Sequence, residues 1–297
     1  MLAVGLSLLA GLGFAGSGIL ARVGMQGIRP LSSTLISTVA SLLPSAALAL
    51  AFALSDIRAL PPIAFLWLLV LGGVNFLGGR TLSYLAIDIL GASRTSVILG
   101  TSTVFSTFFA ITLAGERPHL VILMGTAGVV AGLIIATSES IRRGWSGDRR
   151  SLLGYLVALG AAASYGGTNV IARELTLEYG SPLMISAISL FFGVILLWPL
   201  AGKAAVQDIR SSAGNMGMVG FAALSGLAAA IAVICLYYAL QRAEVVIVAP
   251  IVSTSPLTTL LLAKIFIARL EQITRRVLLG ATFTVMGVLL VIIGSTL

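Results

Sequence analysis

One histidine and one cysteine in 297 residues leave little from which to build a catalyst. A serine–histidine pair needs both partners within hydrogen-bond reach. His119 is the sole imidazole, and it follows Glu116-Arg117-Pro118 at the edge of an apolar stretch. His119 and Cys235 together cannot make a structural zinc set, and Cys235 reads as a packing residue. No catalytic residue, metal or cofactor is expected, and an enzyme is set aside. What remains are neutral polar groups inside apolar stretches, able to hydrogen-bond a solute or a neighbouring helix. Asn75 and Asn169 are the asparagines well within such stretches. An unbonded amide is costly in hydrocarbon, so each is either a helix–helix clasp or a ligand contact.

Hydroxyls cluster in two places. Ser93, Thr95, Ser96, Thr101, Ser102, Thr103, Ser106 and Thr107 crowd one stretch. Ser253, Thr254, Ser255, Thr258 and Thr259 echo them between Pro250 and Pro256. Such hydroxyls can bond the carbonyl one turn back. Pro256, however, removes a backbone donor and frees a carbonyl, which is tolerated at membrane depth only against protein or a water-lined cavity. Phe14 and Tyr165 occupy equivalent places; Tyr84, Tyr237 and Tyr238 sit toward the ends of their stretches, as interfacial anchors or as pocket and gate groups. Arg80 lies deeper than Lys264, which snorkelling explains. Arg80 either snorkels onto carbonyls or meets a carboxylate substrate. No Asp or Glu lies in the middle of an apolar stretch, so a buried carboxylate proton relay is not supported. Glu116 and Glu271 end equivalent stretches and read as helix-end caps or loop partners.

The elements that must position these groups are membrane helices. With 58% hydrophobic and 9% charged residues, and a mean hydropathy of +1.10, the chain is no soluble globular protein. A crossing takes roughly 20 apolar residues. Ten are predicted, near 2–24, 31–54, 62–87, 91–114, 119–138, 151–173, 182–202, 214–240, 244–267 and 274–295. A β-barrel would need alternating segments of about ten residues, whereas these runs are unbroken. The first run lacks a basic leader and has a counterpart at 151–173, so it reads as a retained helix rather than a signal peptide. Gly11-x-Gly13-x-x-Gly16 matches a dinucleotide fingerprint in letters, but lies inside a span without the strand that fingerprint requires. Gly16, Gly18, Gly125, Gly128, Gly132, Gly280 and Gly287 read as close-packing positions. The pairs Gly72-Gly73 and Gly78-Gly79 could also serve as a hinge, with Pro250 and Pro256 as a second one.

The net charge of +8 decorates the connections and sets topology rather than binding nucleic acid. One side carries only Arg58, Arg117, Arg173 and Arg242; the other carries twelve Lys and Arg, from Arg22 to Arg276. The second side, with the loop 139–150, is therefore expected in the cytoplasm and both termini outside.

The chain also repeats itself. Leu20-Ala21-Arg22 recurs as Ile171-Ala172-Arg173, Tyr84-x-Ala86 as Tyr237-x-Ala239, and Gly125 with Gly132 as Gly280 with Gly287, at offsets of 151 to 155. Each copy holds five crossings, an odd number, so the second starts on the opposite side. The expected fold is an all-α polytopic membrane protein of ten transmembrane helices in two inverted five-helix repeats, 1–138 and 151–297, joined by 139–150. Inverted repeats are the architecture of alternating-access transporters.

The L-A-R and I-A-R ends of spans one and six, the Tyr-x-Ala ends of spans three and eight, Gly115-Glu116 closing span four and Ser255-Pro256 in span nine resemble the drug/metabolite transporter superfamily, EamA type. Within it the chain looks most like bacterial aromatic amino-acid exporters. That resemblance implies an inner-membrane exporter of small metabolites, with spans one, three, four, six, eight and nine around a central cavity and five and ten peripheral. On that template Phe14, Asn75, Tyr84, Ser96, Thr103, Tyr165, Asn169, Tyr237 and Thr254 are cavity candidates, joined by Arg80. Because Thr103 stands where the second repeat has Pro256, spans four and nine are expected to bend differently. The expectation is a carrier for amino acids or other neutral metabolites, rocking the hairpins 3–4 and 8–9, with a small-molecule substrate, the bilayer as its surroundings and a monomer as the working unit. A multidrug exporter of lipophilic cations and a pore-type channel are the rival readings.

Overall fold

The computed structural model describes residues 1–144, 149–211, 216–266 and 275–296, with the side chains of 136–144, 260, 263–266 and 275–278 left out. The expectations placed on Lys264, Glu271 and most of the loop 139–150 therefore lie outside the described residues. Helices account for nearly all of what is described, with no strand among those residues. They are α1 (Leu2–Gly24), α2 (Pro30–Phe52), a short α3 (Leu54–Ala59), α4 (Pro62–Gly72), a π-helical segment (Gly73–Arg80), α5 (Thr81–Leu90), α6 (Ala92–Gly100), α7 (Ser102–Thr112) and α8 (Leu120–Gly144). The second half has α9 (Arg149–Tyr179), α10 (Pro182–Ser211), α11 (Met216–Arg242), α12 (Val245–Val252), α13 (Ser255–Phe266) and α14 (Arg275–Gly294).

Six helical stretches are long and apolar enough to cross a membrane: Leu2–Gly24, Pro30–Phe52, Pro62–Leu90, Ala92–Thr112, Pro182–Ser211 and Met216–Arg242. Leu120–Ile135, Val245–Thr259 and Leu279–Gly294 are shorter apolar helices. This is a multi-pass membrane protein. Its outer faces carry exposed Leu8, Leu12, Leu43, Leu50, Phe108 and Trp198, while Ser32, Ser37, Ser41 and Thr95 are fully buried. That inversion suits lipid, where tails solvate leucine and polar groups turn inward. α10 runs past its expected end, and Asp208 there holds Arg29 at 2.8 Å.

Three expected spans are interrupted, and a hydroxyl bonds its own helix's backbone at each interruption. Span three is α4, the π segment and α5, in which the Thr81 hydroxyl bonds the Phe76 carbonyl five residues back at 2.9 Å. Span four breaks at Thr101, whose hydroxyl bonds the Ile98 carbonyl at 2.6 Å. Span nine breaks at Ser253-Thr254, where the Thr254 hydroxyl bonds the Ile251 carbonyl at 2.8 Å. Thr103 in one span and Pro256 in the other therefore leave both spans broken at equivalent places. A threonine that satisfies the carbonyl three residues back ends α6 and α12 alike, and Pro256 sits in the first turn of α13, where its missing donor is harmless.

Packing is set by small residues. α8 lies along α14 so closely that a β-carbon on Gly125 would come 2.7 Å from the Gly287 carbonyl oxygen. α1 lies along α11, where one on Gly13 would come 2.8 Å from the Ala232 β-carbon; one on Gly11 would come 3.2 Å from the Val252 carbonyl oxygen of α12. Gly16 and Gly18, expected as close-packing positions, have nothing within 4 Å of such a β-carbon, and Gly18 borders open space instead. α2 lies along α10, and α9 runs against the π segment, α5, α6 and α7.

Candidate functional site

Between these helices is a cavity of about 130 Å³, far above the roughly 10–15 Å³ one water needs on that measure. Its walls come from α1, the π segment with α5, α6 with α7, α9, α11 and α12 with α13. Among the described residues, α2, α8, α10 and α14 contribute nothing to the lining. Apolar surface from Phe14, Leu99, Val233, Leu236 and Val252 alternates with Ser17, Ser83, Ser96 and Thr259. The lining descends along α5 to Ile87 and starts α6 at Ala92, so it reaches the turn at Gly91. Only a glycine tolerates the φ of +89° that makes that turn so tight. Toward the opposite ends of the helices, the wall stops at Leu236 and Val252.

Arg80, the last π residue, is the one charged side chain on the wall among the described residues and is 5% exposed. Its Nη1 donates to Ser41 Oγ at 3.0 Å and lies 3.5 Å from Thr38 Oγ1, both on α2. The guanidinium also stacks over Phe76 at 5.0 Å. Near it, Asn75 Nδ2 reaches the Tyr237 hydroxyl at 3.4 Å, and Tyr84 Oη pairs with Ser225 Oγ at 2.7 Å. Across the cavity Asn169 Nδ2 donates to Ser106 Oγ at 3.0 Å, tying α9 to α7. Tyr165 packs on the π segment through Gly79, where an added β-carbon would sit 2.6 Å from the ring.

A polar clamp closes the end away from Gly91. Gly115, at φ +71°, reverses the chain after α7 and returns Glu116 inward. The Glu116 oxygens accept the Val245 N–H at 2.9 Å and the Val246 N–H at 3.1 Å, capping α12. Arg173 Nε stands 3.2 Å from the same carboxylate, and its Nη1 donates to the Leu240 carbonyl at 2.7 Å. One carboxylate thus fastens α7, α9, α11 and α12. Burial raises the Glu116 pKa above the ordinary carboxylate value, outweighing the two N–H donors and Arg173, which pull it down. Arg22 makes the matching bonds at the other end, donating to the Ile87 carbonyl at 3.1 Å and the Asp88 carbonyl at 3.4 Å.

Of the residues singled out from the sequence, Phe14, Asn75, Arg80, Tyr84, Ser96, Tyr165 and Asn169 line the cavity. Thr103, Tyr237 and Thr254 stand behind its wall. The Thr103 hydroxyl is taken by Ser253 and the Ala249 carbonyl, Tyr237 is fully buried against Asn75, and Thr254 turns back to its own helix. Gly72 and Gly78 are close approaches to Ser189 and Ser164, whereas Gly73 has room, and Pro250 lies buried within α12. The hydroxyl face of α2, with Thr34, Ser37, Thr38, Ser41 and Ser45 all buried, escaped the sequence reading. Its signal was there in their helical spacing of three and four residues.

No curated protein matches this chain. A solved crystal structure matches 99% of it and 97% of that chain, at a TM-score of 0.73 and 16% identity, a likeness that shows the fold alone. The EamA-like transporter family matches over residues 1–138 and again over 152–293, the two halves whose helices together enclose the cavity. That coverage is decisive: the chain belongs to the EamA-like transporters of the drug/metabolite transporter superfamily.

Proposed function

We propose that the protein is a secondary carrier that exports small amphiphilic metabolites, amino acids first and aromatic ones among them, across a bacterial inner membrane. It works by alternating access in a ten-span fold of two inverted repeats. The observation that carries this reading is a central cavity of mixed apolar and polar lining that reaches one mouth while the Glu116–Arg173 clamp fastens the other. Support for the inverted repeat comes from paired details. Arg22 and Arg173 each bond carbonyls at the end of a neighbouring helix, and Thr101 and Thr254 break spans four and nine at one equivalent point. Breaks inside two opposed spans leave short half-helices that can tilt without unravelling the packed α8–α14 and α2–α10 pairs. By the arginine count, the fastened mouth is periplasmic and the open one cytoplasmic. No acidic side chain lines the cavity among the described residues, which speaks against lipophilic cations as cargo. The test is counterflow in liposomes. A carrier saturates and is accelerated by substrate on the far side; a flux that rises linearly with concentration and ignores trans substrate would make this a pore.

A further inference from the structure

Arg80 is a cation at membrane depth with no countercharge among the described residues. No Asp or Glu lies within 4.0 Å of it among the described residues; its partners are two neutral hydroxyls and the face of Phe76. Hydroxyls and a ring quadrupole orient a guanidinium without neutralising it, and buried unpaired charge is expensive wherever it occurs. Ser41 and Thr38 stand on α2, and Phe76 stands one turn back along the π segment. The Arg80 side chain also borders the cavity. The neighbouring wall adds Asn75, Ser83, Tyr84 and Tyr165 as donors around it. One turn along α9 from Tyr165, the Thr168 hydroxyl is buried without a partner, a further donor left over beside the same space.

We infer that Arg80 is the anchor for a carboxylate on the cargo, and that the recognised solute is a monoanionic organic acid whose apolar body lies among Phe14, Leu99, Val233 and Leu236. This rests on the carrier reading and narrows it. One guanidinium matches one carboxylate, in which the two oxygens take parallel N–H donors; a dianionic phosphate would call for more cations. The cavity offers an ammonium only neutral acceptors among the described residues, so an amino group adds little. An amino acid is accepted through its carboxylate, and the same acid without the amine is accepted at least as well.

The protein's own ligand series tests this without a variant. The probes are 3-phenylpropionate, phenylalanine, 3-phenylpropionamide and 3-phenylpropylamine, read as thermal shift of the purified full chain and as counterflow in liposomes. Both carboxylates are expected to stabilise the protein in a concentration-dependent way, the amide and amine not at the same concentrations. Arg80→Gln is expected to weaken carboxylate binding by about 30-fold or more, and Arg80→Lys, which keeps the charge and loses the fork, by less. The inference is overturned if the amide or amine binds as tightly as the acid, if no carboxylate binds, or if folded Arg80→Gln binds 3-phenylpropionate as the wild type does. Saturable counterflow of neutral solutes with no carboxylate binding would sink the anchor and leave the carrier standing. Linear flux of every probe would sink the carrier itself.

Discussion

A β-carbon at position 79 would meet the Tyr165 ring at 2.6 Å, while one at position 73 would meet only Leu196 at 3.5 Å. Two glycines six residues apart in the same span thus carry different burdens. Gly79→Ala is expected to cost about 1–3 kcal/mol and to displace Tyr165 from the cavity wall, as overpacking does. Gly73→Ala should be close to neutral; melting temperatures of the two variants check the contrast. Asn169 serves two purposes at once, bonding Ser106 and facing the cavity. Asn169→Ala removes one neutral hydrogen bond, worth about 1 kcal/mol, so folded yield should hold while counterflow falls several-fold. Equal flux from wild type, Asn75→Ala and Asn169→Ala would remove the amides from the transport path.

The clamp at the closed mouth belongs to four helices rather than to one residue. Folding α12 onto α7 buries Glu116, and burial raises its pKa above the usual carboxylate range. The closed mouth therefore binds a proton more readily than an open, hydrated one. In the window between the ordinary carboxylate pKa and the raised value, falling pH favours closure, and at higher pH closure must bury the ionised form. Labelling of Val233→Cys from the clamped side, in a Cys235→Ala background, should slow as pH falls through that window, and Glu116→Gln should flatten the dependence. Little of this element could be read from the chain. Glu116 was legible as a helix-end cap, but the cap spans 129 residues to Val245, and no local pattern names a partner so distant. The breaks at Thr101 and Ser253-Thr254 were hidden for a different reason. Hydroxyls that bond their own helix and hydroxyls that end it have the same spelling, and only tertiary packing chooses between them. Helix positions, by contrast, were legible within a few residues at most ends, because bilayer thickness and hydropathy fix them without help from the fold.

The whole molecule turns on whether residues 1–138 and 151–297 cross the membrane in opposite senses. The paired arginine bonds, the paired threonine breaks and the twice-matched family all fit two copies of one five-span unit. An odd number of crossings per unit makes inversion unavoidable if every unit spans five times, and α9 must then be the sixth crossing despite the charges at both its ends. In that arrangement inversion makes the two mouths equivalent and lets the units exchange conformations, so a cavity bounded by both can expose one mouth at a time. Connections after the second span of each unit therefore report the geometry directly. Ser55 and Ser211 are exposed in those connections, and Cys235 is the sole native thiol, so a Cys235→Ala background gives a clean assay. A membrane-impermeant maleimide added to intact cells should modify Ser55→Cys and spare Ser211→Cys until the membrane is opened. Modification of both from outside would mean the units run in parallel, and the equivalence of the two mouths would be lost with it.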